Sequence, residues 1–241
     1  MSPARRRADM NSPQANNILA ALPGAELDKF ASKLRPVKLE LGAIVYSPDD
    51  KIEHVYFPTS GVVSLLAAFE DGSTVEAGII GSEGIVGTPV VLGADFTPHQ
   101  ALVQADGDAL KMTASDLRVA LQNDGLLLAV LLRFTNSLFT QVAQTAGCNR
   151  AHTLEQRLAR WLLLTHDRVK QNEFTLTQEF LSRMLGVRRA GVSVAANTLR
   201  EIHAIDYRRG KVMVLDRQGL ERASCECYQV VKDEYDRLFK K

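Results

Sequence analysis

The run Thr175–Lys211, TLTQEFLSRMLGVRRAGVSVAANTLREIHAIDYRRGK, constrains this chain more than any other stretch. Leu181 and Leu185 fall on one face of a first short helix. Gly186 follows, where a tight turn needs a positive φ. Val187, Val192, Ala195 and Leu199 give a second helix an apolar face. Thr175 or Thr177 can cap the first helix, and Gln178 stands three residues after Thr175, as in a capping box. Tyr207-Arg208-Arg209-Gly210-Lys211 then supplies a turn with three cations beside it. An ordinary helical hairpin with charged ends shares this spacing. The adjoining basic hairpin favours a helix-turn-helix instead. Arg188 and Arg189 open the second helix, where a DNA-reading helix points its side chains into the major groove.

Charge divides along the chain. Residues 1–149 carry 11 Lys+Arg against 16 Asp+Glu, and residues 150–241 carry 18 against 12. A basic half joined to an acidic half implies that one part alone meets a polyanion. The longest unbroken apolar run, Leu126–Leu132, is short for a bilayer, and the N-terminus lacks the apolar stretch of a signal peptide. The expectation is a cytoplasmic protein with no membrane partner. Cys148, Cys225 and Cys227 are too few and too scattered for a disulfide framework. Cys225-Glu226-Cys227 is not a usual zinc spacing, so no metal site and no cofactor are expected.

The first fifteen residues are polar and contain Arg5-Arg6-Arg7, which predicts a disordered tail over 1–15. Asn16–Leu34 reads as short helices. From Arg35 to Met112 short β segments recur at about ten-residue intervals, broken by Gly and Pro, with Asp71-Gly72 as a hairpin signal. This texture predicts a β-sandwich or barrel. Ser115 can cap the short helix that follows. A long helix is expected from Asp124-Gly125 to about Ala146, with Gly147 as its break and a hinge. Leu128, Leu131, Thr135, Leu138, Val142 and Thr145 recur along it at three- and four-residue steps, and Arg133 is its lone charge. So apolar a linker helix predicts a homodimer seam. His152–Lys170 reads as a further helix, and a single last helix is expected over 218–239.

An N-terminal β-roll, a long dimer helix and a C-terminal helix-turn-helix with a β wing resemble the Crp/Fnr family of bacterial transcription regulators. VYFPTSGVVSLL, DGSTVEAGIIGSEGIVG, RLARWLLLTHDRV and the helix-turn-helix run carry the resemblance over nearly the whole chain. It implies an α+β fold: a cupin-like jelly roll over 16–123, a dimerisation helix over 124–147 and a winged helix over 148–241. In nucleotide-binding relatives, a Gly-Glu segment and a downstream arginine hold the cyclic phosphate and ribose. The matching segments here are Gly81-Ser82-Glu83-Gly84 and Pro98-His99-Gln100-Ala101, and no arginine lies between Lys51 and Lys111. A buried phosphate needs a fixed cation or several N–H donors, so tight cyclic AMP binding is not expected. Gly81, Glu83, Gly84, His99 and Gln100 remain the candidate effector pocket. No cysteine precedes Cys148, which excludes an N-terminal iron–sulfur cluster.

The resemblance assigns base reading to Arg189; Arg188, Ser193 and Asn197 are further base-contact candidates on the same helix. Phosphate contacts fall to Thr177, Gln178, Arg208, Arg209 and Lys211. Ala190 stands where many relatives carry a glutamate, and Val194 where another arginine is common. Gly191 inside the helix would let it sit closer to DNA. The leading expectation is a homodimeric regulator that binds double-stranded DNA, contacts RNA polymerase and answers a small-molecule effector. A regulatory subunit acting through protein partners is the alternative. No nucleophile–base pair, metal cluster or P-loop supports an enzyme.

Overall fold

The computed structural model describes residues 12–123 and 125–239; Arg5-Arg6-Arg7 lies outside them. Residues 12–15, which the polar composition places in the tail, are structured. Ser12 caps a 3-10 turn over Pro13–Ala15. The buried Asn16 side chain then donates to Pro58 O and Gly84 O at 2.8 and 2.9 Å and caps helix α1, Asn17–Ala20. Helix α2 covers Gly24–Ala31.

The roll is built from β1 (Arg35–Leu39), β2 (Ile44–Tyr46), β3 (His54–Pro58), β4 (Val62–Ala68) and β5 (Thr74–Ile80). The short helix α3 (Thr88–Val91), β6 (His99–Ala105) and β7 (Gly107–Thr113) complete it. All pairs are antiparallel. One sheet runs β1-β7-β3 and the other β2-β6-β4-β5. Val55, Phe57, Val63, Ile80, Val103 and Leu110 fill the core between them. Gly107 is required at its place: an added Cβ would meet Ser60 O at 2.3 Å.

Helix α4, Ala114–Asn123, follows. Its cap is Thr113 rather than Ser115, because the Asp116 N–H donates to Thr113 Oγ1 at 3.0 Å. The long helix α5 runs Gly125–Ala151, straight through Gly147. A helical glycine costs only about 1 kcal/mol, too little to end a helix of this length by itself. The break falls at His152-Thr153, where Thr153 and Gln156 form a capping box for α6, Leu154–Val169. By length and composition α5 could cross a membrane. One face, including Leu127, Leu131, Phe134 and Leu138, is nevertheless buried in the core of the roll.

The C-terminal region is β8 (Glu173–Thr175), α7 (Gln178–Leu185), α8 (Arg189–Glu201), β9 (Ile205–Arg208), β10 (Lys211–Val214), α9 (Arg217–Ala223) and α10 (Cys227–Phe239). The sheet order β8-β10-β9 makes the wing. The single last helix predicted over 218–239 is two, because Ser224 is extended at φ −80°, ψ 168°. Its second part, α10, folds back and buries Leu238 in the core of the roll. Val62, Leu66, Ile79 and Leu102 of the four-stranded sheet share a second core with Leu158, Trp161 and Leu162 of α6 and with Leu181, Val192 and Leu199. One apolar core therefore spans the β-roll and the helix-turn-helix.

Candidate nucleic-acid interface

Thr177 is the cap of α7: its Oγ1 accepts from Phe180 N at 3.1 Å, and Gly186 ends the helix at φ 63°. Such a cap stabilises by about 1 kcal/mol. Thr175 lies in β8 instead. Helix α8 starts at Arg189 with Arg188 as its N-cap. Val192, Ala195, Ala196 and Leu199 are buried, whereas Arg188, Arg189, Ala190, Val194, Asn197 and Thr198 are exposed. The predicted apolar face is thus the buried one, and it leaves a solvent-facing row. Gly191 faces inward: an added Cβ would meet Leu154 Cδ2 at 3.0 Å, so its small size serves helix packing, not approach to DNA.

Thr177, Gln178, Arg189, Tyr207, Arg209 and Gly210 line one open depression of about 390 Å³. Arg189 Nε donates to Gln178 Oε1 at 3.3 Å. The wing tip is a two-residue turn with Arg209 and Gly210 both at positive φ, 51° and 75°, which suits the twist of a hairpin. Residue types alone did not separate the wing cations. Arg208 pairs with Asp206 at 3.0 Å and Lys211 with Glu173 at 2.7 Å. Arg209 has no such partner among the described residues. Ser193 is half-buried, its Oγ donating to Arg189 O at 3.2 Å, and Asn197 Oδ1 accepts from Arg200 at 3.3 Å. Sequence reasoning missed Tyr207, whose hydroxyl donates to Leu176 O at 2.9 Å and braces the wing against the turn before α7.

The expected effector residues do not converge. Ile80, just before Gly81, pairs with Val63, while His99 pairs with Ala67. Four residues of β4 separate these positions, roughly 13 Å of strand. Glu83 is already engaged: Arg168 Nε of α6 donates to it at 2.7 Å, and it accepts from Gly81 N at 3.0 Å. Arg168 also lies 5.2 Å from the centre of the Tyr235 ring of α10. Gly84 packs on Phe134 so tightly that an added Cβ would sit 2.3 Å from the ring. His99 Nδ1 lies 3.0 Å from Thr97 Oγ1, and Gln100 lines a separate cavity between the roll and α7.

Comparison with known proteins supplies the family. The cyclic nucleotide-binding domain matches residues 36–124, and the Crp-like helix-turn-helix domain matches residues 156–223. The chain belongs to the Crp/Fnr family of transcription regulators. No curated protein matches. Among solved structures, FixK2 from Bradyrhizobium japonicum superposes with a TM-score of 0.67 at 17% identity, covering 80% of this chain and 98% of its own. A putative Crp/Fnr regulator from Eubacterium rectale superposes at 0.69 and 15% identity, covering 87% and 98%. The c-di-GMP-responsive regulator CLP from Xanthomonas campestris does so at 0.61 and 17%, covering 80% and 99%. At these identities the likeness is one of fold.

Two sequence expectations for this Crp/Fnr chain need correction. The first is the dimer seam. Leu131, Leu138 and Thr145 are buried within their own chain, at 0%, 6% and 9% exposure, against Leu128, Thr135 and Val142, which are half-buried. The outward stripe of α5 is Leu132, Asn136, Phe139, Ala143, Ala146 and Arg150, with Phe139 70% exposed. The second concerns the cysteines. Cys148, Cys225 and Cys227 are not scattered in space: all three are buried in one cluster, and His152 adjoins it.

Proposed function

We propose that this chain is a homodimeric, sequence-specific DNA-binding regulator, cytoplasmic and without catalytic activity. The observation that carries the proposal is the exposed row of α8 beside Arg209 at the wing tip, which has no carboxylate partner among the described residues, together with the family. Arg189 lies at the N-terminal end of α8, the end that contacts base edges in a recognition helix, and a bidentate arginine–guanine contact provides about 1–3 kcal/mol of discrimination. Arg188 and Asn197 are exposed secondary base contacts, and Ser193 is a weaker one because it is half-buried. Val194, 62% exposed, fits apolar contact with a thymine methyl. Thr177, Gln178 and Arg209 border the depression and face phosphate. Arg208 and Lys211 would first have to leave their carboxylate partners.

Two copies present two reading helices when the outward stripe of α5 packs against its counterpart, and RNA polymerase is then the natural downstream partner. An effector would act by shifting α5 and so the spacing of the two heads. Cyclic AMP is a poor fit. The Glu83 carboxylate that would face the ribose is taken by Arg168, and no arginine lies between Lys51 and Lys111 to serve as the phosphate partner. Calorimetry with cyclic AMP should show no binding in the micromolar range. The functional test is selection from random double-stranded DNA by the full chain. Enrichment of one motif supports the proposal. Recovery of random sequences alone would favour a regulatory subunit that works through protein partners.

A further inference from the structure

Four donor atoms from two distant parts of the chain meet where α5 passes into α6 and α9 into α10. Cys148 belongs to the last turn of α5, and His152 follows one helical turn later, in the break. Cys225 lies in the break after α9, and Cys227 is the first residue of α10. Cys148 Sγ lies 3.5 Å from Cys225 Sγ, and Cys227 Sγ lies 3.5 Å from His152 Nδ1. All four donor atoms fall within 4.8 Å of one another. Corners of a tetrahedron about a zinc ion, with bonds of about 2.3 Å to sulfur and 2.0–2.1 Å to nitrogen, stand roughly 3.5–3.8 Å apart. We infer that Cys148, His152, Cys225 and Cys227 form a Cys3His site for a tetrahedral divalent ion, zinc being the fit by donor softness and number.

The surroundings are those of a metal site rather than of three idle thiols. Glu226 Oε1 lies 3.2 Å from His152 Nε2. A proton held there by the carboxylate leaves Nδ1 with its lone pair facing the sulfurs, the usual carboxylate–histidine–metal arrangement. Gln144 Nε2 donates to Cys227 Sγ at 3.1 Å, a bond that a thiolate accepts better than a thiol. Three thiolates, a neutral imidazole and a divalent ion sum to one negative charge. Arg160, 4% exposed and with its Nε lacking a partner among the described residues, is close enough to Cys148 to act on it electrostatically and offsets that charge. The three cysteines are also a separate buried cluster, outside both large apolar cores. Each thiol releases its proton to solvent as the ion binds, and no oxidant is involved. The ion would fasten α10 to the end of α5, fixing the joint between the long helix and the reading head.

The test uses full-length protein purified under reducing conditions without chelator. Elemental analysis should find close to one zinc per chain. After zinc removal, cobalt(II) should give a thiolate charge-transfer band and intense tetrahedral ligand-field bands, and stoichiometric zinc should bleach them. Cys225→Ser and Cys227→Ser should each abolish those bands. Glu226→Gln, on the exposed side of the site, should retain them while weakening zinc affinity roughly 10–100-fold. A wild-type protein without zinc whose cobalt spectrum is that of the hydrated ion would overturn the inference. So would a thiol count in the reduced, zinc-free wild-type protein that stoichiometric zinc leaves unchanged. Both read the unaltered chain, so a variant that fails to fold cannot obscure the answer.

Discussion

Glu76 is a carboxyl group held where a carboxylate is costly. It is buried between the roll and α6, and desolvation pushes its pKa from 4.5 up to about 7, against the opposing bonds from Ser64 and Trp161 and the fields of Arg160 and Arg168. Trp161 Nε1 donates to it at 2.7 Å, and Ser64 Oγ lies 2.8 Å away. Ser64 has one proton and sits equally close, at 2.8 Å, to Gln104 Oε1. A protonated Glu76 resolves that conflict by donating to Ser64, which donates onward to Gln104, whose amide reaches Thr165 at 2.9 Å. Between about pH 4.5 and about 7 the folded chain keeps a proton that the unfolded chain has lost. Stability should therefore fall as pH rises through that window, by a total on the order of 3 kcal/mol. Glu76→Gln should flatten this slope. Denaturant unfolding of both proteins across the window checks it, and parallel slopes would sink the assignment. At the reading surface, Arg189→Ala should cost about 1–3 kcal/mol and relax preference at one base pair in each half-site. Arg209→Ala should weaken all sequences alike and reduce the salt slope by about one. A binding series over single-base variants at two salt concentrations separates the two.

The long helix shows how far sequence pattern reaches at the scale of one element. Its existence and apolar character were legible in the near absence of charge. Which stripe faces outward was not. Leu131 and Leu132 are adjacent leucines about 100° apart around the helix, and a helix apolar on most of its surface offers two equivalent seams. Packing of Phe134 on Gly84 and of Gln141 on Ile79 decides between them, and those are contacts between residues about 50 and 60 positions apart. Phe139→Glu with Leu132→Glu should yield a folded monomer in sedimentation. Leu131→Ala should instead destabilise the chain by about 2–5 kcal/mol through a core cavity. A double glutamate variant that stays dimeric would place the seam elsewhere. The cysteine cluster escaped sequence reading for a related reason. Cys148-x3-His152 and Cys225-x-Cys227 are unremarkable apart, and the return of α10 onto α5 that joins them is not written in either spacing. The helix-turn-helix was legible because Thr177, Gly186 and the apolar positions of α8 act locally.

Across the whole molecule, the shared core of roll and reading head means that the helix-turn-helix is not a loose appendage. The Arg168–Glu83 pair ties α6 to the roll, and the ring of Tyr235 adds α10 to the same junction. Breaking a buried pair on one side leaves an uncompensated charge. Arg168→Leu should therefore loosen the docking and raise hydrogen exchange in α6 and in the strand end before Gly81; unchanged exchange would show that the pair does not couple the domains. The division into an acidic N-terminal half and a basic C-terminal half is written in the charge, while the pairing of Glu83 with an arginine from the opposite half is not. The central claim is that two copies read a two-fold symmetric site with one α8 in each of two major grooves. The most direct measurement is the affinity of the full chain for a selected operator before and after about half a helical turn of DNA is inserted between its half-sites. The account predicts two chains per operator, half-site centres about 34 Å apart, and binding reduced to the non-specific level by the insertion. Affinity unchanged by the insertion, with one chain per operator, would contradict it.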